Sequence, residues 1–368
     1  MENIKYYVLW KKNNEMLIEY LNWYFDILVN EIENIQETEI KSKLLQLRYN
    51  KDFILNTDNS SRIEYLYYVS KWEQKIFWHE NIVKNFLHDI DYFLEKTILY
   101  INDSYKIEWT NIYLSDFDRN PYNWLETHPD HFKSWTKVWY GSKSQDFWLK
   151  IYSEAFSILK GIDGWIYDEL NYIIQKIVPI WTETHIHNSA SYKEAVWHLY
   201  MWLTTELDEN MLVIQCLEAL VHESSHNKIN LINKFDKILL NNYDLKFYSP
   251  YRPDARHVWW VFLWIHAFVP TIYILLRYYK ESKLSDDNLL EKLVTYNTKN
   301  NLALNVLNRY ANFTDIWNEI MEEVKYVMKL TNILLKELNI KEDILKISKE
   351  KVVKHFGEVK SKYSYLQY

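Results

Sequence analysis

Helical periodicity dominates this chain. Leu17, Leu21, Tyr24, Leu28 and Ile32 recur at steps of three and four, which predicts an amphipathic helix near the start. "NTDNSSR", Asn56 to Arg62, reads as a loop and helix start, and a long helical pattern follows through Tyr67, Trp72 and Ile76. The periodicity breaks in "SDFDRNPYNWLETHPDHF", Ser115 to Phe132, where two prolines predict a linker. A second helical block begins near Trp148 and runs toward Ile180, with "KGIDGW" as a local break. "WTETHIHNSASYKEA" is polar and turn-like, with room for a short extended segment. One or two helices are expected between Glu206 and Leu239, then a loop, "NNYDLKFYSPYRPDARH", in which Pro250 and Pro253 bar regular helix. Three amphipathic helices close the chain, and no repeat of fixed period is evident.

Between that loop and the last three helices lies "VWWVFLWIHAFVPTIYILL", Val258 to Leu276, uncharged and about long enough to cross a bilayer. His266 and Pro270 sit near its middle and no second span accompanies it. A helix apolar on all sides inside a large protein is normally interior, so a buried core helix is expected here. The fold is therefore expected to be mainly α. It reads as a single large helical domain with few or no strands, divided into a helical N-terminal region over 1–130 and a helical remainder over 131–368.

Composition narrows the function classes. The 368 residues suffice for a sizeable core. Lys plus Arg number 43 against 50 Asp plus Glu, a formal charge of -7 with no basic stripe, which argues against a nucleic-acid partner. A single cysteine, Cys216, excludes an internal disulfide and a Cys-rich zinc site. The opening "MENIKYYVLWKKNNEM" lacks the apolar core and cleavage site of a signal peptide, so a cytoplasmic location without membrane attachment is expected.

Candidate chemistry centres on "LVHESSHNKIN", Leu220 to Asn230. On a helix His222 and His226 lie one turn apart on the same face, so both imidazoles can reach one metal ion. Glu223, turned away by about a hundred degrees, suits general-base work on metal-bound water better than direct ligation. Leu217, Leu220, Val221, Ile229 and Leu231 make the helix largely buried, and buried imidazole nitrogens need partners that a metal supplies. A zinc protease of one common type would need a third histidine at position 232, which is Ile232. The other type needs a downstream glutamate, for which Glu281 and Glu319 are present without a recognisable context. His266 in the apolar helix is either a hydrogen-bonded core residue or a third ligand. Tyr248, Arg252 and Arg256 fall on the loop before it. The arginines are either held by a salt bridge, as with Asp254, or placed to grip a dicarboxylate through paired hydrogen bonds.

Three segments, "IVPIWTETHIHNSASYKEAVWHLYM", "EALVHESSHNKIN" and "YSPYRPDARHVWWVFLWIHAF", together resemble the HExxH-motif peptide-modification proteins associated with ribosomally made, post-translationally modified peptides. The likeness spans roughly residues 177–268, and the first 130 or so residues lie outside it. It implies an iron- and 2-oxoglutarate-dependent oxygenase (a dioxygenase of the oxidoreductase class) that hydroxylates a side chain of a ribosomally synthesised precursor peptide, at a β carbon. It implies Fe(II) held by His222, His226 and His266, leaving positions for 2-oxoglutarate and dioxygen. Arg252 or Arg256, with Tyr248, would then bind the cosubstrate, and His187 and Ser191 would line the substrate pocket or tie down a loop. The residues alone leave two alternatives open. One is a zinc metallopeptidase with Glu223 as base; the other is a non-catalytic helical peptide-binding protein. The aromatic N-terminal helices read as core or as a leader-peptide surface, and the oligomeric state is not legible.

One anomaly runs through the whole chain. It has 4 glycines and 17 tryptophans, where average usage of about 7% would give roughly two dozen glycines. Trp181, Trp197, Trp260 and Trp264 stand where the resemblance implies glycine. Indoles at close-packed glycine positions would cost about 1–3 kcal/mol each in overpacking. The expectation is that a codon rendered as Trp is decoded as Gly in the source cell.

Overall fold

The structure is a computed structural model, and it describes residues 2–72, 79–96, 104–115, 137–138, 140–181, 189–193, 195, 197–202, 207–235, 239–282 and 284–363. The linker expected over 115–132 lies outside these residues from 116 onward, as does Ile76. The described elements, in chain order, are helices α1 (Glu2–Ile32), α2 (Thr38–Leu47), α3 (Lys51–Ile54), α4 (Thr57–Trp72) and α5 (His79–Lys96), then strands β1 (Ser104–Lys106), β2 (Tyr113–Ser115) and β3 (Lys137–Val138). Helices α6 (Gln145–Ile162) and α7 (Gly164–Ile173) lead to strands β4 (Lys176–Trp181) and β5 (His198–Trp202). Helices α8 (Glu209–Asn233), α9 (Val258–Glu281), α10 (Asp287–Tyr310), α11 (Asp315–Glu337) and α12 (Glu342–Lys362) complete the chain. The fold is mainly α, as the periodicity predicts.

The chain forms two compact units, each assembled from separated segments: 1–14, 155–169 and 214–368 in one, 15–154 and 170–213 in the other. The boundary expected near residue 130 falls inside a segment of the second unit, so chain order does not separate the units.

The second unit carries a small sheet that periodicity does not announce. β4 is its centre: β5 runs parallel along one edge, from Lys176 opposite His198 to Ile180 opposite Trp202. β2 lies parallel to the start of β4 and β3 antiparallel to its end, with β1 antiparallel to β2. The helical block expected to reach Ile180 therefore stops at Ile173. "KIVPIW" is a short continuous apolar run, a pattern shared by buried strands and buried helices. Helices α2 and α5 pack on each other and bury the stripes Ile40, Leu44 and Leu47 of α2 and Ile82, Phe86, Ile90 and Phe93 of α5. In α1 the buried face is Leu17, Tyr20, Tyr24, Leu28 and Ile32, with Leu21 half-buried at its margin. Asp58, at the start of α4, accepts from the Lys176 Nζ at 3.1 Å and lies 3.5 Å from the His198 Nε2. Burial alone would raise the Asp58 carboxyl, but Lys176, His198 and Arg62 outweigh it and hold it well below the carboxylate range.

The first unit is built on α9, which packs against α10 and α11, while α10 packs against α12. Among the described residues α9 alone is long and apolar enough to cross a membrane, yet 72% of its most apolar window is buried inside the protein. It is a core helix, as expected. The His257 imidazole caps its N-terminus by accepting from the Trp259 N–H. The helix continues through Pro270 with its neighbours buried on nearly every side.

Candidate functional site

The segment expected to hold one or two helices is one, α8, which carries the two motif histidines. Its apolar residues Cys216, Leu217, Leu220, Val221, Ile229, Leu231 and Ile232 are buried, and so are Glu223, Ser224, Ser225, Asn227 and Lys228. A helix enclosed this way must satisfy its polar groups internally. The Ser224 and Ser225 hydroxyls do so by donating to the Val221 carbonyl at 3.1 and 2.7 Å.

Lys228 is held differently. Its ammonium donates to Glu169 of the unit's 155–169 segment at 2.7 Å and lies 3.8 Å from Glu323 of α11. Burial would lower the Lys228 pKa, but the two carboxylates reverse that and raise it. Glu169 is itself raised, by burial first and despite Lys228. This buried ion cluster anchors α8 two residues after His226.

The histidine pair converges as the spacing predicts. The Nε2 atoms of His222 and His226 are 3.1 Å apart, with the rings perpendicular and 4.7 Å between centroids. Two nitrogens at about 2.1 Å from a shared ion would lie about 3.0–3.4 Å apart for octahedral to tetrahedral angles, so the pair fits a common metal. Burial, with help from His226 and Lys292, holds His222 well below the ordinary histidine range. Burial alone holds His226 down to about 4. Both are neutral at physiological pH, which is the ligating form. The buried His226 Nδ1 has no hydrogen-bond partner among the described residues. Glu223 is buried on the same turn of α8, as general-base work would need.

His266 lies in α9, buried, with its pKa pushed down by burial, then by Lys228 and His226. It is an electrostatic neighbour of His226. Even so, among the described residues no group of three His, Cys, Asp or Glu side chains is arranged to hold a metal ion. The structure thus brings His222 and His226 together without completing a three-residue ligand set. Glu281, a candidate for the peptidase ligand, is exposed and bonded to Arg277 at 2.8 Å.

Aromatic rings wall the pair. Phe268 of α9 lies edge-on to His222 at 4.6 Å, and the Trp264 ring is 6.1 Å away. Tyr251 stacks on both Trp264 and Phe268, at 5.8 and 5.1 Å, and its hydroxyl donates to Asn300 Oδ1 at 2.6 Å. Phe268 stacks in turn on Tyr296 of α10 at 4.5 Å.

The loop residues divide. Arg256 Nε is 2.7 Å from Asp254 Oδ2, the salt bridge that the sequence offered as one reading. Arg252 stands further from the same carboxylate, 3.9 Å, and its guanidinium lies over the Trp264 ring at 5.9 Å from the centroid. Tyr248 is directed to α12, not to the histidine pair. The His355 Nε2 donates to the Arg252 carbonyl at 3.1 Å, so its Nδ1 accepts from the Tyr248 hydroxyl at 3.1 Å. Tyr248 and His355 therefore position the Arg252 backbone. Ser191 is half-buried beside the Ala190–Tyr200 bridge and belongs to the unit with the sheet. His187 lies outside the described residues.

Sequence reading missed Lys228, Glu169 and Glu323, and also Tyr251. A lysine in an otherwise apolar helical stretch is a legible sign that a carboxylate must face it. Which carboxylate cannot be read from local pattern. Compared with known proteins, the chain matches no family model and no curated protein.

Proposed function

We propose that this protein is an iron- and 2-oxoglutarate-dependent oxygenase that hydroxylates a side chain of a ribosomally made peptide. The observation that carries the proposal is the convergence of two neutral, part-buried imidazoles, their Nε2 atoms 3.1 Å apart, with the Trp264 ring a neighbour of both His222 and the Arg252 guanidinium. Bound iron would supply the centre at which 2-oxoglutarate and dioxygen react. His222 and His226 would hold it through Nε2, and burial keeps both free of the competing proton. Arg252 would take the distal carboxylate of the cosubstrate, since Arg256 is committed to Asp254. Phe268 and Tyr251 would keep bulk water from His222. The Lys228 cluster would fix the helix that presents both nitrogens. The peptide substrate and the cytoplasmic setting rest on the sequence resemblance.

Burial of Glu223 beside His222 favours a second reading, a zinc hydrolase in which that carboxylate takes a proton from water. The two separate in one experiment. The protein is incubated with a candidate precursor peptide, Fe(II), 2-oxoglutarate and air, and in parallel with Zn(II). Gain of one oxygen atom on the peptide, lost in His222→Ala, is the expected result. Peptide cleavage with zinc overturns the oxygenase reading in favour of the hydrolase.

A further inference from the structure

Three described non-glycine residues adopt a left-handed backbone: Asn339 at φ 47°, Trp109 at φ 65° and Trp197 at φ 71°. Asparagine is the ordinary exception in this region, because its short side chain bonds locally. A bulky indole is not, since its Cβ meets the neighbouring carbonyl there. One of the 4 glycines, Gly141, takes the same conformation at φ 68°. In a chain this poor in glycine, both remaining left-handed positions carry the same over-represented residue.

Trp197 shows a second fault. It is 1% exposed, packed at 5.3 Å from the Tyr24 ring, and its indole N–H is buried with no acceptor among the described residues. Buried tryptophans normally satisfy that donor. Trp148 shows the normal case, with its Nε1–H donating to the Tyr140 carbonyl at 2.8 Å, whereas the buried Trp317 Nε1 shares the fault of Trp197 among the described residues. The overpacking expected at Trp260 does not occur, because that residue is exposed on α9; the side chain of Trp181 lies outside the described ones.

Trp264 is where the anomaly meets the site. Its ring centroid is 6.1 Å from the His222 ring and 5.9 Å from the Arg252 guanidinium carbon, with Tyr251 and Phe268 stacked on it. We infer that positions 109, 197 and 264 are glycine in the native protein, and that the space taken by the Trp264 indole is the small-molecule pocket between the His222–His226 pair and Arg252. The pocket is flat and aromatic, with neutral nitrogens at one end and a cation at the other. A five-carbon dicarboxylate has about as many non-hydrogen atoms as an indole. The choice of 2-oxoglutarate as occupant rests on the proposed function, and glycine at 264 on the sequence resemblance; the glycines at 109 and 197 rest on neither.

Peptide sequencing by mass spectrometry of the protein from its source cell tests the assignment. Glycine is expected at 109, 197 and 264 with tryptophan retained at 148; tryptophan at 109 or 197 overturns the decoding argument. In the recombinant chain, Trp109 is 69% exposed, so relieving its left-handed backbone in Trp109→Gly is expected to raise Tm by about 2–4 °C. An unchanged or lower Tm counts against the assignment. Trp264→Gly, with Trp264→Ala as a second variant, is titrated with indole and separately with 2-oxoglutarate plus Fe(II) under argon. Binding of both, absent in the tryptophan form, is expected. Indole binding alone supports the pocket and removes the cosubstrate; binding of neither by either folded variant refutes the pocket.

Discussion

Replacing Lys228 by methionine should destabilise the protein more than almost any other single change in the first unit. Methionine matches the length of the lysine stem and keeps most of its packing, so the perturbation is chiefly the loss of charge. The ammonium side chain is 3% exposed, and both carboxylates it serves are largely buried. Removing it leaves Glu169 and Glu323 facing one another in a poorly solvated space. Breaking a buried pair from one side costs about 3–5 kcal/mol, a large part of a typical net stability of about 5–15 kcal/mol. Urea unfolding followed by far-ultraviolet circular dichroism measures it, with the midpoint falling while the slope stays constant.

The pH dependence checks the cause. Glu169 is already raised above its ordinary pKa, and losing Lys228 raises it further. A carboxyl whose folded pKa exceeds its unfolded one stabilises the fold below the unfolded value and loses that contribution as pH rises through the folded value. The deficit of Lys228→Met should therefore be largest at pH 8 and shrink toward pH 5, and Glu169→Gln in the same chain should recover part of it. A deficit below about 1 kcal/mol, or one independent of pH, would show that solvent reaches the cluster and that it does not anchor α8.

Three further outcomes follow from the same physics. His226 is held down to about 4 from 6.5, so its contribution is complete above pH 6.5 and is lost as pH falls toward 4; at about 1.4 kcal/mol per pH unit this is roughly 3 kcal/mol, and a stability curve in metal-free buffer should flatten correspondingly in His226→Gln. Asp58→Asn should cost about 3–5 kcal/mol by stranding the buried Lys176 ammonium, and because the Asp58 carboxyl is depressed, the parent protein should lose stability as pH drops through 4 while the variant does not; acid titrations of the two by tryptophan fluorescence compare them. Added Co(II) should raise the Tm of the parent protein, by the equivalent of about 2.7 kcal/mol at a hundredfold excess over Kd, and leave His222→Ala unchanged; equal shifts in both would remove the histidine pair as the binding site.

Much of the fold was legible because it is local. A helix is closed by bonds between near neighbours, so stripes such as Tyr24, Leu28 and Ile32 announce it, and residues four apart must share a face. That rule alone placed His222 beside His226, and the length and apolarity of Val258 to Leu276 alone marked a core helix. What the chain could not disclose by itself depends on partners distant along it. "KIVPIW" becomes a strand only because β2 and β5 supply its hydrogen bonds. Lys228 is stable only because Glu169, 59 residues earlier, folds back onto it. Arg252 differs from Arg256 only through where Asp254 and Trp264 come to lie. The excess of tryptophan was visible as a count, but the backbone angles at Trp109 and Trp197 turned it into a physical conflict. Periodicity fixes what a segment is; only tertiary packing decides which distant group neutralises a buried charge or which backbone must turn left-handed, because both depend on neighbours remote in sequence.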